Sequence, residues 1–310
     1  MTTTPRSKAS DFEPEVLQLF DQYVHGVIDR RGFLAGAARF AVGAATATGL
    51  LAALSPQFAA AQQVKPDDAR LSAGYVEFPS PHGYGTGRGY LVKPANAAGP
   101  LPVVLVVHEN RGLNPHIEDV ARRFALESFI AFAPDALFPL GGYPGDEDAA
   151  RTLFGKLDQV KTREDFVAAA QMLGGIEGGN GRVGVVGFCY GGAIANLLAT
   201  RLPNLAAAAP FYGSAAPLED VGRIRAELLV VLAANDERVN AGWPAYEAAL
   251  KAAGVRHALY QPPGTQHGFH NDATPRHDEA AAREAWRRTI ALFDRTLRTG
   301  ASAPVNKPAG

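Results

Sequence analysis

"RVGVVGFCYGGAIANLLA", residues 182–199, passes from an apolar, β-branched run through a glycine-bounded turn into an alanine- and leucine-rich helical pattern. Cys189 stands at the apex of the turn, between Gly187 and Gly191, and is the only cysteine of the chain. In the pattern G-x-nucleophile-x-G, small flanking residues allow the sharp strand-to-helix turn that exposes a nucleophile. The dipole of the following helix favours a thiolate over a thiol. The segment therefore predicts a strand, a sharp turn and a helix, with Cys189 as the candidate nucleophile.

Strand and helix patterns alternate on both sides of this turn. The strand patterns are residues 73–80, 85–94, 102–109, 129–137, 182–188, 205–213, 226–236 and 257–263. The helix patterns are residues 117–128, 162–173, 191–202, 244–254 and 278–297. The first two strands are predicted to form a hairpin, because a glycine-rich connection joins them. The alternation predicts an α/β fold with a mostly parallel central sheet and helices on both faces.

The amino-acid composition indicates which kinds of molecule the protein can bind. The 310 residues are 47% hydrophobic, which is enough for one large α/β domain with a sizeable core. Thirty basic and 31 acidic side chains give a formal charge of −1, so no nucleic-acid partner is expected and a small-molecule substrate is favoured. A single cysteine excludes an intrachain disulfide and a cysteine-rich metal site. No cofactor or metal is expected, since the histidines show no ligand spacing beyond His267 and His270.

The first sixty residues have a different composition. Arg30 and Arg31 are adjacent, an alanine- and glycine-rich apolar run follows, and residues 59–61 form an A-x-A cleavage site. This pattern is typical of a twin-arginine export signal, which predicts passage through the twin-arginine translocase, cleavage near Ala61 and a periplasmic protein. A membrane helix is the alternative, but Arg39 interrupts a run that is only weakly apolar.

Three segments follow from this division of the chain. Residues 1–61 are predicted to be the export signal with an extended leader, residues 62–298 the α/β domain, and residues 299–310 a disordered tail. Within the leader, the apolar positions between residues 12 and 24 have helical spacing, so a short amphipathic helix is expected before the arginines.

A nucleophile requires a base, and the base requires a residue that orients it. In parallel α/β sheets the functional residues lie at the carboxyl ends of the strands. Asp236 follows a late strand, and His267 follows the last strand in the glycine-bounded loop "GTQHGFH". The chain order of nucleophile, acid and histidine is that of the α/β-hydrolase fold. Each residue alone has an ordinary interpretation: a small buried hydrophobe for Cys189, a turn or capping aspartate, and a surface histidine.

Several motifs together resemble the dienelactone hydrolase family of α/β-hydrolases. The motifs are "VVLVVHENRGLN", "APDALF", "GFCYGG", "LAANDERV" and "QHGF", and the resemblance extends over roughly residues 75–295. It implies a triad of Cys189, Asp236 and His267. It also implies that Glu109 holds the resting thiol and that substrate binding displaces this glutamate; a solvated loop carboxylate is the alternative. The implied activity is cofactor-free hydrolysis of lactones or small carboxylic esters through an acyl-thioester.

The oxyanion and the substrate carboxylate require further partners. The backbone N–H groups of Tyr190 and Asn110 are the candidates for the oxyanion hole. The family is expected to hold a substrate carboxylate with two arginines, but "PDALFPLGG" contains no arginine and the residue four past His267 is Asn271. The nearest replacement is Arg111, with Arg276 a more distant candidate, and a solvated loop arginine is the alternative for Arg111. Dienelactone itself is therefore doubtful as the preferred substrate.

Two other functions are compatible with the residues. One is a non-catalytic α/β-hydrolase scaffold whose exposed Cys189 binds a ligand or senses redox state. A sensor requires neither an acid nor an oriented base, so the order of Cys189, Asp236 and His267 argues against it. The other is a serine esterase that uses Ser214, which lacks the spacing of the turn.

Overall fold

The computed structural model describes residues 7–41 and 46–298. Its strands are β1 Leu71–Ser80, β2 Gly85–Pro94, β3 Leu101–Val107, β4 Ile130–Pro134, β5 Gly179–Phe188, β6 Ala207–Phe211, β7 Glu227–Val231 and β8 His257–Tyr260. Its helices are α1 Pro14–Val24, α2 Arg30–Ala37, α3 Ala47–Leu54, α4 Phe58–Ala61, α5 Pro115–Leu126, α6 Glu147–Phe154, α7 Gln159–Leu173, α8 Tyr190–Arg201, α9 Glu237–Asn240, α10 Trp243–Ala252 and α11 Glu279–Leu297. The tail expected over residues 299–310 lies outside the described residues.

The strands form one 8-stranded sheet in the order β1-β2-β4-β3-β5-β6-β7-β8. β1 and β2 form the predicted antiparallel hairpin, and β2 also runs antiparallel to β4. The other neighbours are parallel. The predicted α/β fold with a mostly parallel sheet is therefore confirmed.

Helices cover both faces of the sheet. Val103 to Val107 in β3 are fully buried, as expected for a continuous apolar strand between two helical layers. One core forms where α7 and α8 pack on the sheet, and a second core forms against α5 and α11. This arrangement fixes the carboxyl ends of the parallel strands at one edge, where the candidate residues are expected.

The segment before the sheet is helical and has a small core of its own. α1 is the helix expected in the leader, and its apolar face packs on α2 and α3 through residues that include Phe20, Phe33 and Leu54. Within the described residues, no helix is long and apolar enough to span a membrane.

The helical segment is also bound to the α/β domain. Gln57 N–H donates to the carbonyl of Ala273 at 2.7 Å, and the Arg30 guanidinium pairs with Asp148 in α6 at 2.9 Å. Helix α6 is absent from the predicted elements because its eight residues are too few to show periodicity; the Asp146 side chain caps it by accepting from Ala149 N–H. The C-terminal end of α1 lies against this helix, close to the carboxyl ends of the strands.

Candidate active site

Cys189 occupies a strained position between β5 and α8. Its backbone has φ 56° and ψ −111°, in the left-handed half of conformational space that non-glycine residues rarely adopt. Such strain persists only where the surrounding structure enforces it, and it concentrates at functional sites. The predicted sharp turn is therefore present, with Cys189 directly before the first residue of α8.

The flanking glycines are required by close backbone contacts. A Cβ atom on Gly187 would lie 1.9 Å from the carbonyl oxygen of Gly191, and one on Gly191 would lie 2.3 Å from the carbonyl oxygen of Val107. The turn is thus pressed against the end of β3, and any larger side chain would force it apart. This packing holds the sulfur at the carboxyl edge of the sheet.

Asp236 and His267 come together as predicted. His267 Nδ1 lies 2.5 Å from Asp236 Oδ2, and both side chains are buried. A parallel bridge between Asn235 and Gln266 joins the end of the β7 segment to the loop after β8. Because Asp236 accepts the Nδ1 proton, Nε2 of His267 is directed toward Cys189, and the ligand atoms of the two residues lie within 4.8 Å of each other.

The charges of this pair favour a thiolate and an imidazolium. Burial by itself would raise the pKa of the Cys189 thiol, but the charge of His267 and hydrogen bonds from His25 and His267 lower that pKa to about 6. Burial would likewise lower the pKa of His267, but Cys189 and Asp236 raise it to about 10. The Cys189 thiol is therefore already ionised near neutral pH, and the imidazolium is placed to donate a proton.

His25 also reaches the sulfur, which the sequence interpretation missed. Its Nε2 lies 3.5 Å from Cys189 Sγ and 3.3 Å from His267 Nε2. Its Nδ1 lies 2.8 Å from the carbonyl oxygen of Asp21 and 3.2 Å from the carboxylate of the same residue. The only feature of the sequence that could have indicated this role is the spacing of Asp21 and His25, four residues apart at the end of α1. Such spacing is common on helices and does not by itself predict a site.

The carbonyl end of α1 is held by the same loop that carries the oxyanion candidate. The Asn110 side-chain amide donates to the carbonyl of Val24 at 3.0 Å, and Arg111 Nη2 donates to it at 3.1 Å. Arg151 Nη1 donates to the carbonyl of Tyr23 at 2.5 Å. The last carbonyl groups of α1 therefore accept hydrogen bonds from an amide and two guanidinium groups close to Cys189.

Glu109 lies at the site but its carboxylate is directed to a different partner from the one expected. Its Oε2 accepts from the Asn271 side chain at 3.1 Å, whereas the hydrogen bonds of the Cys189 sulfur are with the two histidines. His108 supports this loop: it is buried, burial lowers its pKa to about 4, and its neutral ring accepts from Ala136 N–H at 3.2 Å.

The candidate oxyanion donors lie on two sides of the turn. Tyr190 is the first residue of α8. Its backbone N–H is therefore one of the N–H groups in the first helical turn that have no acceptor within the helix. Asn110 lies in the loop after β3, and Arg111 fixes this residue by donating to its carbonyl at 3.1 Å and to its side-chain oxygen at 2.7 Å.

A cavity of about 300 Å³ adjoins this site, and Glu109, Arg111, Asn271 and Arg276 contribute to its wall. Arg111 is buried and engaged by Asn110, Val24 and Glu147. Arg276 is also buried; its Nη1 lies 3.8 Å from the Asp21 carboxylate, and its Nε and Nη1 have no hydrogen-bond partner among the described residues. Arg276, the more distant candidate in the sequence, therefore has more hydrogen-bonding capacity left for a ligand than Arg111 has.

Comparison with known proteins agrees with this geometry. The model of the dienelactone hydrolase family matches residues 88–297, which contain all three residues of the predicted triad. The chain belongs to the dienelactone hydrolase family. It is accordingly a carboxylic ester hydrolase with the α/β-hydrolase fold. A second family model, described as YqhI-like, matches residues 3–42 and so covers α1, His25 and the arginine pair.

Individual proteins resemble the chain over different lengths. "Putative hydrolase fragment YghX" of Escherichia coli (strain K12) is 54% identical over 36% of this chain and 97% of its own length. "Putative carboxymethylenebutenolidase" of the same strain is 32% identical over 74% of this chain and 88% of its own length. The crystal structure of a "Putative Dienelactone Hydrolase" from Klebsiella pneumoniae has a TM-score of 0.64 at 29% identity, covering 72% of this chain and 99% of that one.

Proposed function

We propose that this dienelactone hydrolase family member hydrolyses small anionic esters or lactones with Cys189 as the nucleophile. One observation carries the proposal: the strained turn presents Cys189 to His267, whose other ring nitrogen lies 2.5 Å from Asp236. A sulfur held there without a catalytic role would need neither the strain nor the oriented histidine.

Acylation uses the charge pair already present. The Cys189 thiolate attacks the ester carbonyl, and the backbone N–H groups of Tyr190 and Asn110 stabilise the oxyanion of the tetrahedral intermediate. The intermediate collapses when the C–O bond to the leaving alcohol breaks and the His267 imidazolium gives that oxygen its proton. The product is an acyl-thioester on Cys189 and a neutral His267. With a lactone, the alcohol stays attached to the acyl group.

Deacylation reverses these proton movements. Neutral His267 takes a proton from water as the oxygen attacks the thioester, and Asp236 stabilises the imidazolium that forms. The C–S bond then breaks, which releases the carboxylic acid and restores the thiolate. Because the ring of His25 lies beside the sulfur, the acyl group must replace it there, so the end of α1 withdraws during turnover.

The alternative is a thiol that binds a ligand or senses redox state. Hydrolysis of a chromogenic ester, measured with and without prior treatment with iodoacetamide, separates the two functions. Rapid hydrolysis that disappears in proportion to alkylation of Cys189 is the result expected of a nucleophile. Alkylation without any ester hydrolysis before or after treatment favours the sensor.

We base the proposed preference for anionic substrates on the two arginines that line the cavity, Arg111 and Arg276. We expect Arg276→Ala to raise KM for p-nitrophenyl hemisuccinate about tenfold, equivalent to about 1.4 kcal/mol, and to leave p-nitrophenyl butyrate within about twofold. The physical reason is that a guanidinium whose Nε and Nη1 make no hydrogen bond among the described residues can bind a carboxylate but gains nothing from a neutral chain. Steady-state kinetics of both esters measure the effect.

Two further variants show whether the effect of Arg276→Ala is specific to the substrate carboxylate. Arg111→Ala should slow both esters, because Arg111 holds the loop of Asn110 as well as facing the cavity. The exposed Arg283 is the matched control, and Arg283→Ala should change neither ester. Equal losses on the two esters in Arg276→Ala would show that Arg276 supports the site structurally. A wild type without preference for the anionic ester would make the protein a general small-ester hydrolase.

We also propose export through the twin-arginine translocase, supported by the adjacent Arg30 and Arg31, both exposed, and by the apolar run that follows them. Replacing both by lysine should leave the folded precursor in the cytoplasm, because the translocase recognises the guanidinium pair and carries folded cargo. Immunoblots of periplasmic and cytoplasmic fractions measure this, with Arg39→Lys as the control. Unchanged periplasmic protein in the double variant would contradict the proposal.

A further inference from the structure

Three side chains of the site direct metal-binding atoms at one point. His25 Nε2 lies 3.3 Å from His267 Nε2 and 3.5 Å from Cys189 Sγ, and the ligand atoms of all three residues lie within 4.8 Å of one another. With Zn–N near about 2.05 Å and Zn–S near about 2.3 Å, a tetrahedral zinc ion separates two nitrogens by about 3.35 Å and a nitrogen from sulfur by about 3.55 Å. The two separations that involve His25 Nε2 therefore match two edges of a zinc tetrahedron.

Both imidazoles are already oriented as metal ligands are. His267 Nδ1 is held by Asp236 Oδ2, and His25 Nδ1 is held by the backbone carbonyl and the carboxylate of Asp21. Metal-binding histidines almost always donate their second ring N–H to a carboxylate or a carbonyl, which leaves a lone pair on the other nitrogen. Two such lone pairs 3.3 Å apart repel each other unless a proton or a cation lies between them.

We propose that His25, Cys189 and His267 bind one Zn²⁺ ion in the full chain, before any cleavage near Ala61 removes His25, and that the bound ion holds the hydrolase inactive. The ligand set of two imidazoles and one thiolate suits zinc better than magnesium or calcium, which prefer oxygen ligands. Three protein ligands leave a fourth position for water. Cys189 coordinates as the thiolate that it already is near neutral pH, and the Nε2 proton of the His267 imidazolium passes to solvent when that nitrogen binds the ion.

The surroundings allow the ion to enter. Asp21, Asp236 and the Cys189 thiolate supply three negative charges around a doubly charged cation. Arg238 Nη2 lies 3.1 Å from His25 Nε2, but Arg238 is exposed and its side chain has solvent to move into. Zinc therefore displaces one exposed guanidinium and leaves the half-buried carboxylate of Asp21 and the buried carboxylate of Asp236 in place.

Inhibition follows from which atoms the ion occupies. Coordination takes the sulfur that attacks the ester and the Nε2 atom that transfers protons, so both steps of hydrolysis stop. The third ligand comes from the end of α1, so zinc also fixes this helix across the nucleophile. The inhibitory consequence rests on the proposed function, whereas the binding of the ion does not.

Binding is tested on the chelator-treated full chain with Co²⁺ as a spectroscopic probe. We expect one equivalent of Co²⁺ to produce a thiolate-to-metal charge-transfer band, and Zn²⁺ to abolish it by competition. His25→Ala and the more conservative His25→Gln should each weaken Zn²⁺ binding about 100-fold. This factor is the upper end of the loss that follows removal of a residue hydrogen-bonded to a metal ligand, and His25 is itself a ligand. The exposed His82 is the control, and His82→Ala should bind as the wild type does.

Hydrolysis provides a second readout. One equivalent of Zn²⁺ should stop ester hydrolysis by the wild type, and a chelator should restore it, whereas the two His25 variants should tolerate about 100-fold more zinc. A wild type without the charge-transfer band, or His25 variants with wild-type affinity, would overturn the site. Zinc bound with hydrolysis undiminished would overturn the inhibition. The absorbance titration reports on the metal even if the chain hydrolyses no ester.

Discussion

Cys189→Ala is expected to lower kcat/KM for every ester by at least about 10⁴-fold, since removal of a catalytic nucleophile leaves only the oxyanion donors and binding. The fold should remain, because alanine fits the same backbone conformation as cysteine and the side chain contributes few core contacts. Acid-quenched reactions followed by mass spectrometry provide a direct measurement. The wild type should gain the mass of the acyl group on the peptide that contains Cys189, and the variant should gain none.

Ser214 supplies the matched control for this variant. It is exposed beside β6, and its backbone carbonyl accepts from the Asn196 side chain at 2.9 Å, whereas its hydroxyl makes no hydrogen bond within residues 7–41 and 46–298. Ser214→Ala should therefore hydrolyse esters at the wild-type rate. Activity that survives in Cys189→Ala and disappears in Ser214→Ala would replace the cysteine mechanism with a serine esterase.

The parts of the site predicted from the sequence are those fixed by local chain geometry. The glycines before and after Cys189 predict the sharp turn. The positions of Asp236 and His267 follow from the rule that the carboxyl ends of parallel strands lie at one edge of the sheet. The fold was predictable for the same reason, because continuous apolar strands alternate with helical patterns.

The parts that were not predictable depend on contacts between distant segments. His25 lies 164 positions from Cys189 in the chain, and no local pattern indicates that the end of α1 reaches the sulfur. The same is true of Arg276: its distance from His267 in sequence suggests a remote role, yet the loop returns its guanidinium to Gly268, where an added Cβ would lie 3.3 Å away. Tertiary packing, which a linear pattern does not encode, decides both positions.

Asp236→Asn is expected to lower kcat on the order of 10³-fold, although it removes only a charge. The carboxylate both selects the His267 tautomer with Nε2 facing the sulfur and stabilises the imidazolium, and an amide does neither reliably. Through His267 the loss also affects the nucleophile. The thiol pKa of about 6 should rise toward its ordinary value, so less thiolate is present at pH 7.

Alkylation by iodoacetamide in the presence of a chelator measures that second effect without any ester. At pH 7 the Asp236→Asn variant should react about tenfold more slowly than the wild type, and the difference should vanish at high pH, where both thiols are ionised. Asp158→Asn is the matched control, because Asp158 also caps a helix, α7, but lies outside the site. Asp236 also caps α9, where its side chain accepts a hydrogen bond from Val239 N–H at 3.3 Å. If the Asp236→Asn variant is alkylated at the wild-type rate and retains its kcat, capping is the only role of Asp236, and other contacts orient His267. If alkylation slows while kcat is retained, thiolate formation does not limit turnover, and deacylation by water becomes the step that sets the rate.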